Sequence, residues 1–320
     1  MVSSGMMINK SLNRNRYQIT DCNWDADNMR ADLMPAICVI VAASLWGIIG
    51  IFTRSLYASG LSALQMTFAR CLVTLVVLII VIALADRKKF RIDPKDIWMF
   101  IGTGLCSIVF FNVMYFTTQQ MVSLSTASVL LYTAPCFVVI MSLFLFKEKL
   151  TRNKVLALLL AFIGCVFTTG LGFGDVNIGI VYGILAGFGY SLYSIFGKYA
   201  LTKYGLLTTL FYTFLIATVC LIPFCDVPYT FDIGLDMDVL PYILGLGIVS
   251  TVIPYYLYTV GLKGMEAGKA SIIAFVEPMV ATIASILIGD PFGWTNVLGI
   301  ALILGSVILL NTRQSRKVTD

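Results

Sequence analysis

The chain has 320 residues, of which 59% are hydrophobic and only 12% charged, and its mean hydropathy is +0.91. Soluble domains carry about 25% charged residues, so this balance excludes an ordinary soluble protein and indicates a polytopic membrane protein. The formal net charge of +5 lies in short loops between apolar runs, where it serves orientation rather than a nucleic-acid partner, and the absence of histidine excludes histidine-dependent chemistry.

Eight cysteines are scattered without CxxC spacing, and Cys38, Cys71, Cys106, Cys136, Cys165 and Cys220 fall inside apolar runs. They read as small packing residues, so no metal site and no cofactor is expected.

In chain order, residues 1–33 are polar, with Lys10, Arg14, Arg16 and Arg30 and no apolar core ahead of the first span. They are expected to form a cytoplasmic tail rather than a cleaved signal peptide. Ten apolar runs follow, at about 34–53, 63–85, 97–118, 122–146, 152–170, 179–199, 206–224, 239–261, 268–288 and 293–311. Each is near the ~20 residues a helix needs to cross a bilayer, so the predicted fold is all-α with ten transmembrane helices. If the N-terminus is cytoplasmic, 20 of the 22 lysines and arginines fall on the cytoplasmic side, leaving Arg54 and Arg70. The seventh-to-eighth loop on the other side carries Asp226, Asp232, Asp236 and Asp238. The positive-inside rule then places both termini in the cytoplasm of a cell membrane.

The chain repeats itself. Thr126 to Phe146 matches Lys269 to Ile288, with Ala127, Ser128 and Pro135 opposite Ala270, Ser271 and Pro278. Ser44-Leu45-Trp46-Gly47 likewise matches Ser191-Leu192-Tyr193-Ser194, and Tyr115 falls opposite Tyr258. Five helices per copy is an odd number, so the second copy enters the membrane from the opposite side. The expected units are residues 34–171 and 178–311, followed by a cytoplasmic tail over 312–320.

With these residues in view, the sequence resembles the EamA family of ten-helix carriers in the drug/metabolite transporter superfamily. The likeness rests on Ser44 to Gly50, on Arg70, and on Thr126-Ala-Ser through Pro135 to Lys147-Glu148-Lys149-Leu150-Thr151. In the second copy it rests on Lys269-Ala-Ser through Pro278 to Gly289-Asp290-Pro291. The resemblance implies that helices 1–4 and 6–9 surround a central substrate cavity, with helices 5 and 10 at the periphery. Two departures are Asp290-Pro291-Phe292, where the family has an acidic residue followed by leucine, and Phe214, which stands opposite Arg70 in place of a second arginine.

Glu277 is the sharpest functional candidate, because a carboxylate near mid-membrane binds a cation, exchanges a proton or pairs with a base. The plainer alternative is a protonated side chain bonded to a backbone carbonyl beside Pro278. Arg70 either serves the substrate or snorkels outward. Pro135 and Pro278 each remove a backbone donor in mid-helix, and their matching positions favour a shared hinge over simple packing. Asn112 joins Trp46, Tyr115, Tyr132, Tyr190, Tyr193, Ser194, Tyr255 and Tyr258 as candidate cavity residues, several of them too far from a helix end for the interfacial belt. Gly170-Leu-Gly-Phe-Gly174 has no following GK[ST] and is set aside as a phosphate loop.

The expected function is secondary transport of a small organic metabolite or drug-like solute by alternating access, with export as the expected direction and proton coupling through Glu277 as one driving force. With Arg70 almost alone as a fixed positive charge, a neutral, zwitterionic or aromatic solute such as an amino acid fits better than a phosphorylated one. An intramembrane enzyme is the alternative from another class, but no second carboxylate or HExxH motif accompanies Glu277 in the spans, so no catalytic residues are assigned. A membrane scaffold or sensor is the third class, and the short loops argue against it.

Overall fold

A computed structural model describes residues 33–169, 178–287 and 293–311. The expected tails, the glycine-rich turn at 170–174 and the Asp290-Pro291-Phe292 segment lie outside the described residues. Among the described residues, ten helices long and apolar enough to cross a membrane follow one another. They are α1 (Leu33–Ala58), α2 (Ala63–Ala85), α3 (Pro94–Met121), α4 (Thr126–Leu145) and α5 (Arg152–Thr169), then α6 (Ile178–Lys203), α7 (Leu206–Phe224), α8 (Leu240–Gly264), α9 (Ala267–Leu287) and α10 (Trp294–Asn311). No strand occurs among the described residues. α1 runs to Ala58 rather than ending near residue 53, because the exposed Arg54 interrupts the apolar run without interrupting the helix.

Local chemistry sets where several helices begin. The Ser62 hydroxyl accepts the Gln65 N–H at 3.4 Å, and the Gln65 side chain accepts the Ser62 N–H at 2.8 Å. This capping box starts α2 and fixes which of its faces points inward. Ser123 caps α4 in the same way through the Thr126 N–H at 3.2 Å. At α3, Pro94 occupies the first turn while the Asp93 carboxylate accepts the Lys95 N–H.

Lipid offers little apolar driving force between helices, so close approach and buried hydroxyl pairs do much of the work. α5 lies along α10 through glycine on both sides, and a Cβ on Gly164 would stand 2.8 Å from the Gly299 carbonyl oxygen. α2 packs on α7, α3 on α6 and α4 on α9. The Thr103 and Thr213 hydroxyls bond across α3 and α7 at 2.6 Å.

Several helices depart from regular α geometry, α1 among them with a break at Ile48. α3 has a π-helical stretch over Gly102–Val109, and α8 has one over Ile248–Val252. α4 breaks at Tyr132 and Thr133, just ahead of Pro135, and α9 breaks at Ala274 and Phe275, just ahead of Pro278. At the first break the Thr133 hydroxyl donates to the Leu130 carbonyl at 2.6 Å. At the second, the Ala274 carbonyl, which Pro278 cannot reach, accepts the Glu277 N–H at 3.0 Å.

Candidate functional site

The capping box at the start of α2 turns Met66, Thr67 and Arg70 toward the bundle interior. On α3, Asn112, Tyr115 and Gln119 follow one another at spacings of three and four, which places them on one face. On α1, Trp46, Ile49, Thr53 and Tyr57 do the same. These three stripes, with Ser128, Leu131 and Tyr132 of α4, Tyr190 of α6, Leu246 and Tyr255 of α8 and Glu277 of α9, enclose a cavity of about 540 Å³. Sites for small organic ligands span roughly 300–1,000 Å³.

The cavity extends to the end of the bundle that holds the α1–α2 connection. There Tyr57 stands near the end of α1 with half its surface exposed, Ala63 opens α2, and Gln119 lies near the end of α3.

Two charged groups reach its lining. Glu277 sits just beyond the α9 break, where it lines the cavity beside Tyr132 and Tyr190. The Arg70 guanidinium lies within electrostatic reach of that carboxylate. Arg70 does not extend toward the helix end; its Nη2 donates to Asn112 Oδ1 at 3.3 Å. Asn112 is itself fixed, since its Nδ2 donates to the Ile108 carbonyl at 2.6 Å and its Oδ1 also accepts from the Thr67 hydroxyl at 3.3 Å. Ile108 belongs to the π-helical stretch of α3, so that irregularity directly serves the group holding Arg70.

α1 can approach Glu277 closely because residue 47 is glycine. A Cβ at Gly47 would fall 2.8 Å from the Glu277 carbonyl oxygen and 2.8 Å from Val280 Cβ.

Much of the remaining lining is aromatic. Trp46 meets Tyr255 edge to face at 5.2 Å, and Phe111 meets Tyr190 at 5.3 Å. Beneath Tyr255, Phe214 packs edge-on at 5.1 Å. The position opposite Arg70 in the second copy is thus filled by a buried ring.

The structure brings Trp46, Arg70, Asn112, Tyr115, Tyr132, Tyr190, Tyr255 and Glu277 together on this one cavity. It sets Tyr193, Ser194 and Tyr258 outside it. The Tyr193 hydroxyl pairs with the Thr259 hydroxyl at 2.8 Å, and the Ser194 hydroxyl pairs with the Tyr258 hydroxyl at 2.7 Å, joining α6 to α8. Pro135 lies one turn past Tyr132, next to the α4 break, and Pro278 is buried directly after Glu277. Thr53, Tyr57, Thr67 and Gln119 were not singled out from the sequence, and Ser128 stood out only for its place in the repeat. The periodic stripes through Trp46 and Asn112 are the signal that reaches most of them.

The opposite end of the bundle is sealed by buried charge. Glu148, between α4 and α5, accepts the Ala267 N–H at 2.6 Å and the Gly268 N–H at 3.2 Å, so its carboxylate caps α9. Lys154 of α5 pairs with Glu148 at 3.2 Å and with Glu266 at 2.7 Å. Lys198 of α6 donates to the Leu262 and Met265 carbonyls at the end of α8. Lys147, with φ of 55°, turns the chain out of α4 so that Glu148 can reach α9.

Among the described residues, ten membrane-length helices and a cavity lined by α1–α4, α6, α8 and α9 define a multi-pass membrane transporter for small molecules. The family model described as the EamA-like transporter family matches over residues 33–170 and again over 177–312, and the chain belongs to that family, within the drug/metabolite transporter superfamily. An uncharacterized transporter of Archaeoglobus fulgidus is 26% identical over 276 residues, covering 86% of this chain and 97% of that protein. The uncharacterized transporter YxxF of Bacillus subtilis is 25% identical, covering 88% of this chain and 90% of its own. A solved structure titled only as the crystal structure of a protein superposes with a TM-score of 0.74 at 20% identity, over 86% of this chain and 95% of that one, which shows a shared fold.

Proposed function

We propose that this transporter carries a small zwitterionic solute with an aromatic or apolar side chain, of the amino-acid type, across the cytoplasmic membrane by alternating access coupled to protons. The observation that carries this reading is one cavity, rich in aromatic side chains, that presents a guanidinium on α2 and a carboxylate on α9. A guanidinium suits a carboxylate bidentately, and the Glu277 carboxylate suits an ammonium or a proton. A phosphorylated solute would need more fixed positive charge than Arg70 supplies.

Matching irregularities support two units related as an inverted repeat. π-helical turns recur in α3 and α8, and proline-associated breaks recur in α4 and α9. Two broken helices packed on each other suit rocking about a fixed site. With both termini cytoplasmic, the cavity faces outward and the Glu148 closure lies inside.

Two experiments test this. In a thermal-shift screen, free amino acids should stabilise the purified protein, by ~2.7 kcal/mol at a hundred times Kd, while their amides and N-acetyl derivatives should not. Equal stabilisation by the amides would remove the Arg70 carboxylate assignment. In proteoliposomes, Glu277→Gln should keep counterflow exchange of the best stabiliser and lose uptake driven by a pH gradient. Equal gradient-driven uptake in wild type and variant would end the coupling assignment.

A further inference from the structure

Behind Glu277, away from the open cavity, lies a second void of about 20 Å³. Tyr132, Tyr190 and Glu277 line both spaces, so they form a partition one side chain thick. On each helix the other lining residues stand nearer the end sealed by Glu148: Pro135 on α4, Ser194 on α6, Tyr258 on α8, and Ser271 and Ala274 on α9.

A buried water needs about 10–15 Å³ of such space and two to four polar partners. This void satisfies both conditions. The Ser194 and Tyr258 hydroxyls share one hydrogen bond at 2.7 Å, which uses one of their two hydrogens and leaves the other to donate. Ser271 spends its hydrogen on the Gly268 carbonyl at 3.0 Å and keeps its lone pairs. The Glu277 carboxylate lines the void and supplies two acceptor oxygens. A water here accepts from the Ser194–Tyr258 pair and donates to Ser271 and to Glu277, making three hydrogen bonds.

We propose that this void is a water site through which Glu277 exchanges its proton with the side of the membrane opposite the open cavity. This rests on the coupling role given to Glu277 above. The step balances as a proton transfer: the carboxyl O–H bond breaks, a third O–H bond forms on the water, and the carboxylate left behind stays beside the Tyr132 and Tyr190 side chains. The hydronium passes its proton to solvent when the Glu148 closure loosens, because Ser271 bonds to Gly268 and the Gly268 N–H is held by Glu148. The groups facing Glu277 are Arg70 of α2, Tyr115 of α3, Tyr132 of α4, Cys165 of α5, Tyr190 of α6 and Tyr255 of α8. Among these the Arg70 guanidinium is the one basic group, and it lines the cavity and not the void.

Infrared difference spectroscopy between acid and alkaline pH, on reconstituted protein, tests this without a substrate. The carboxyl stretch that disappears in Glu277→Gln belongs to Glu277. The water site predicts that this band moves to higher frequency in Ala274→Val, which fills the void without removing a polar atom. It predicts the same direction of shift in Ser271→Ala, which removes a water partner without adding bulk and so serves if the valine variant does not fold. Gradient-driven uptake of the amino acid that best stabilises the protein should fall at least tenfold in a folded void variant, with counterflow within twofold of wild type. An unshifted band with unchanged gradient-driven uptake would overturn the water site while leaving Glu277 as the coupling group. The absence of any band lost in Glu277→Gln would overturn both.

Discussion

The two ends of this bundle are built from different chemistry, although the sequence of one half echoes the other. At the α1–α2 end, Tyr57, Ala63 and Gln119 frame an opening that leads down an aromatic wall to Arg70 and Glu277. At the other end, Glu148, Lys154, Glu266 and Lys198 tie α9 and α8 to α4, α5 and α6 through charge-assisted hydrogen bonds that are largely buried. The open end holds its two charges ready for a ligand, whereas the closed end uses its charges on one another and on backbone. The comparison separates residues that bind from residues that close, and each class fails differently when altered.

The largest expected effect is at the closed end. Glu148→Ala strips the acceptor from two buried N–H groups and one partner from Lys154, which keeps Glu266. A loss of about 3 kcal/mol in stability is expected, read as a lower midpoint in thermal or denaturant unfolding in detergent. A midpoint equal to wild type would mean that the carboxylate is not the closure. At the open end, Arg70→Gln should leave stability nearly unchanged and weaken binding of the best amino-acid stabiliser by about 2 kcal/mol, roughly 30-fold in Kd by calorimetry. Wild-type affinity in that variant would remove Arg70 from the site.

Smaller effects test what lies between the ends. Gly47→Val drives a side chain into the α9 backbone at Glu277, and a stability cost of about 2 kcal/mol is expected together with loss of binding. Tyr190→Phe removes a hydroxyl from the cavity wall beside Glu277, and about 1 kcal/mol, roughly fivefold in Kd, should separate it from wild type. The smallest change is predicted for Pro135→Ala and Pro278→Ala, which restore a helical donor at each break. Binding should be retained while counterflow slows, and unchanged rates in both variants would reduce the prolines to packing.

Much of the fold could be read from the chain because hydrophobic length is a strong signal. The ten apolar runs are the ten helices, with differences at ends such as Arg54, where hydropathy drops but the helix continues. Glu277 and Arg70 stood out because charge inside a span is rare. The π-helical turns of α3 and α8 were not legible, since a shifted hydrogen-bond pattern leaves no mark in hydropathy. Tyr190, Tyr193 and Ser194 read as one face, yet the helical rise carries the latter two past the Glu277 partition and into contact with α8. Glu148 and Lys154 read as loop charges that set orientation. Their burial depends on α9, whose capped N–H groups are 119 and 120 positions from Glu148, and no local pattern reports that.

The central claim is that the two ends open in alternation, and cysteine accessibility in oriented membranes tests it most directly. In a cysteine-free background, Gln119→Cys lies at the mouth of the open cavity and Val138→Cys lies on the wall of the void behind Glu277. A membrane-impermeant maleimide should label position 119 from the α1–α2 side and leave position 138 unlabelled from either side. Adding Glu148→Gln should expose position 138 from the opposite side and protect position 119 to a matching degree. Labelling of position 138 with no loss of labelling at 119 would show the ends opening independently, and it would contradict alternating access.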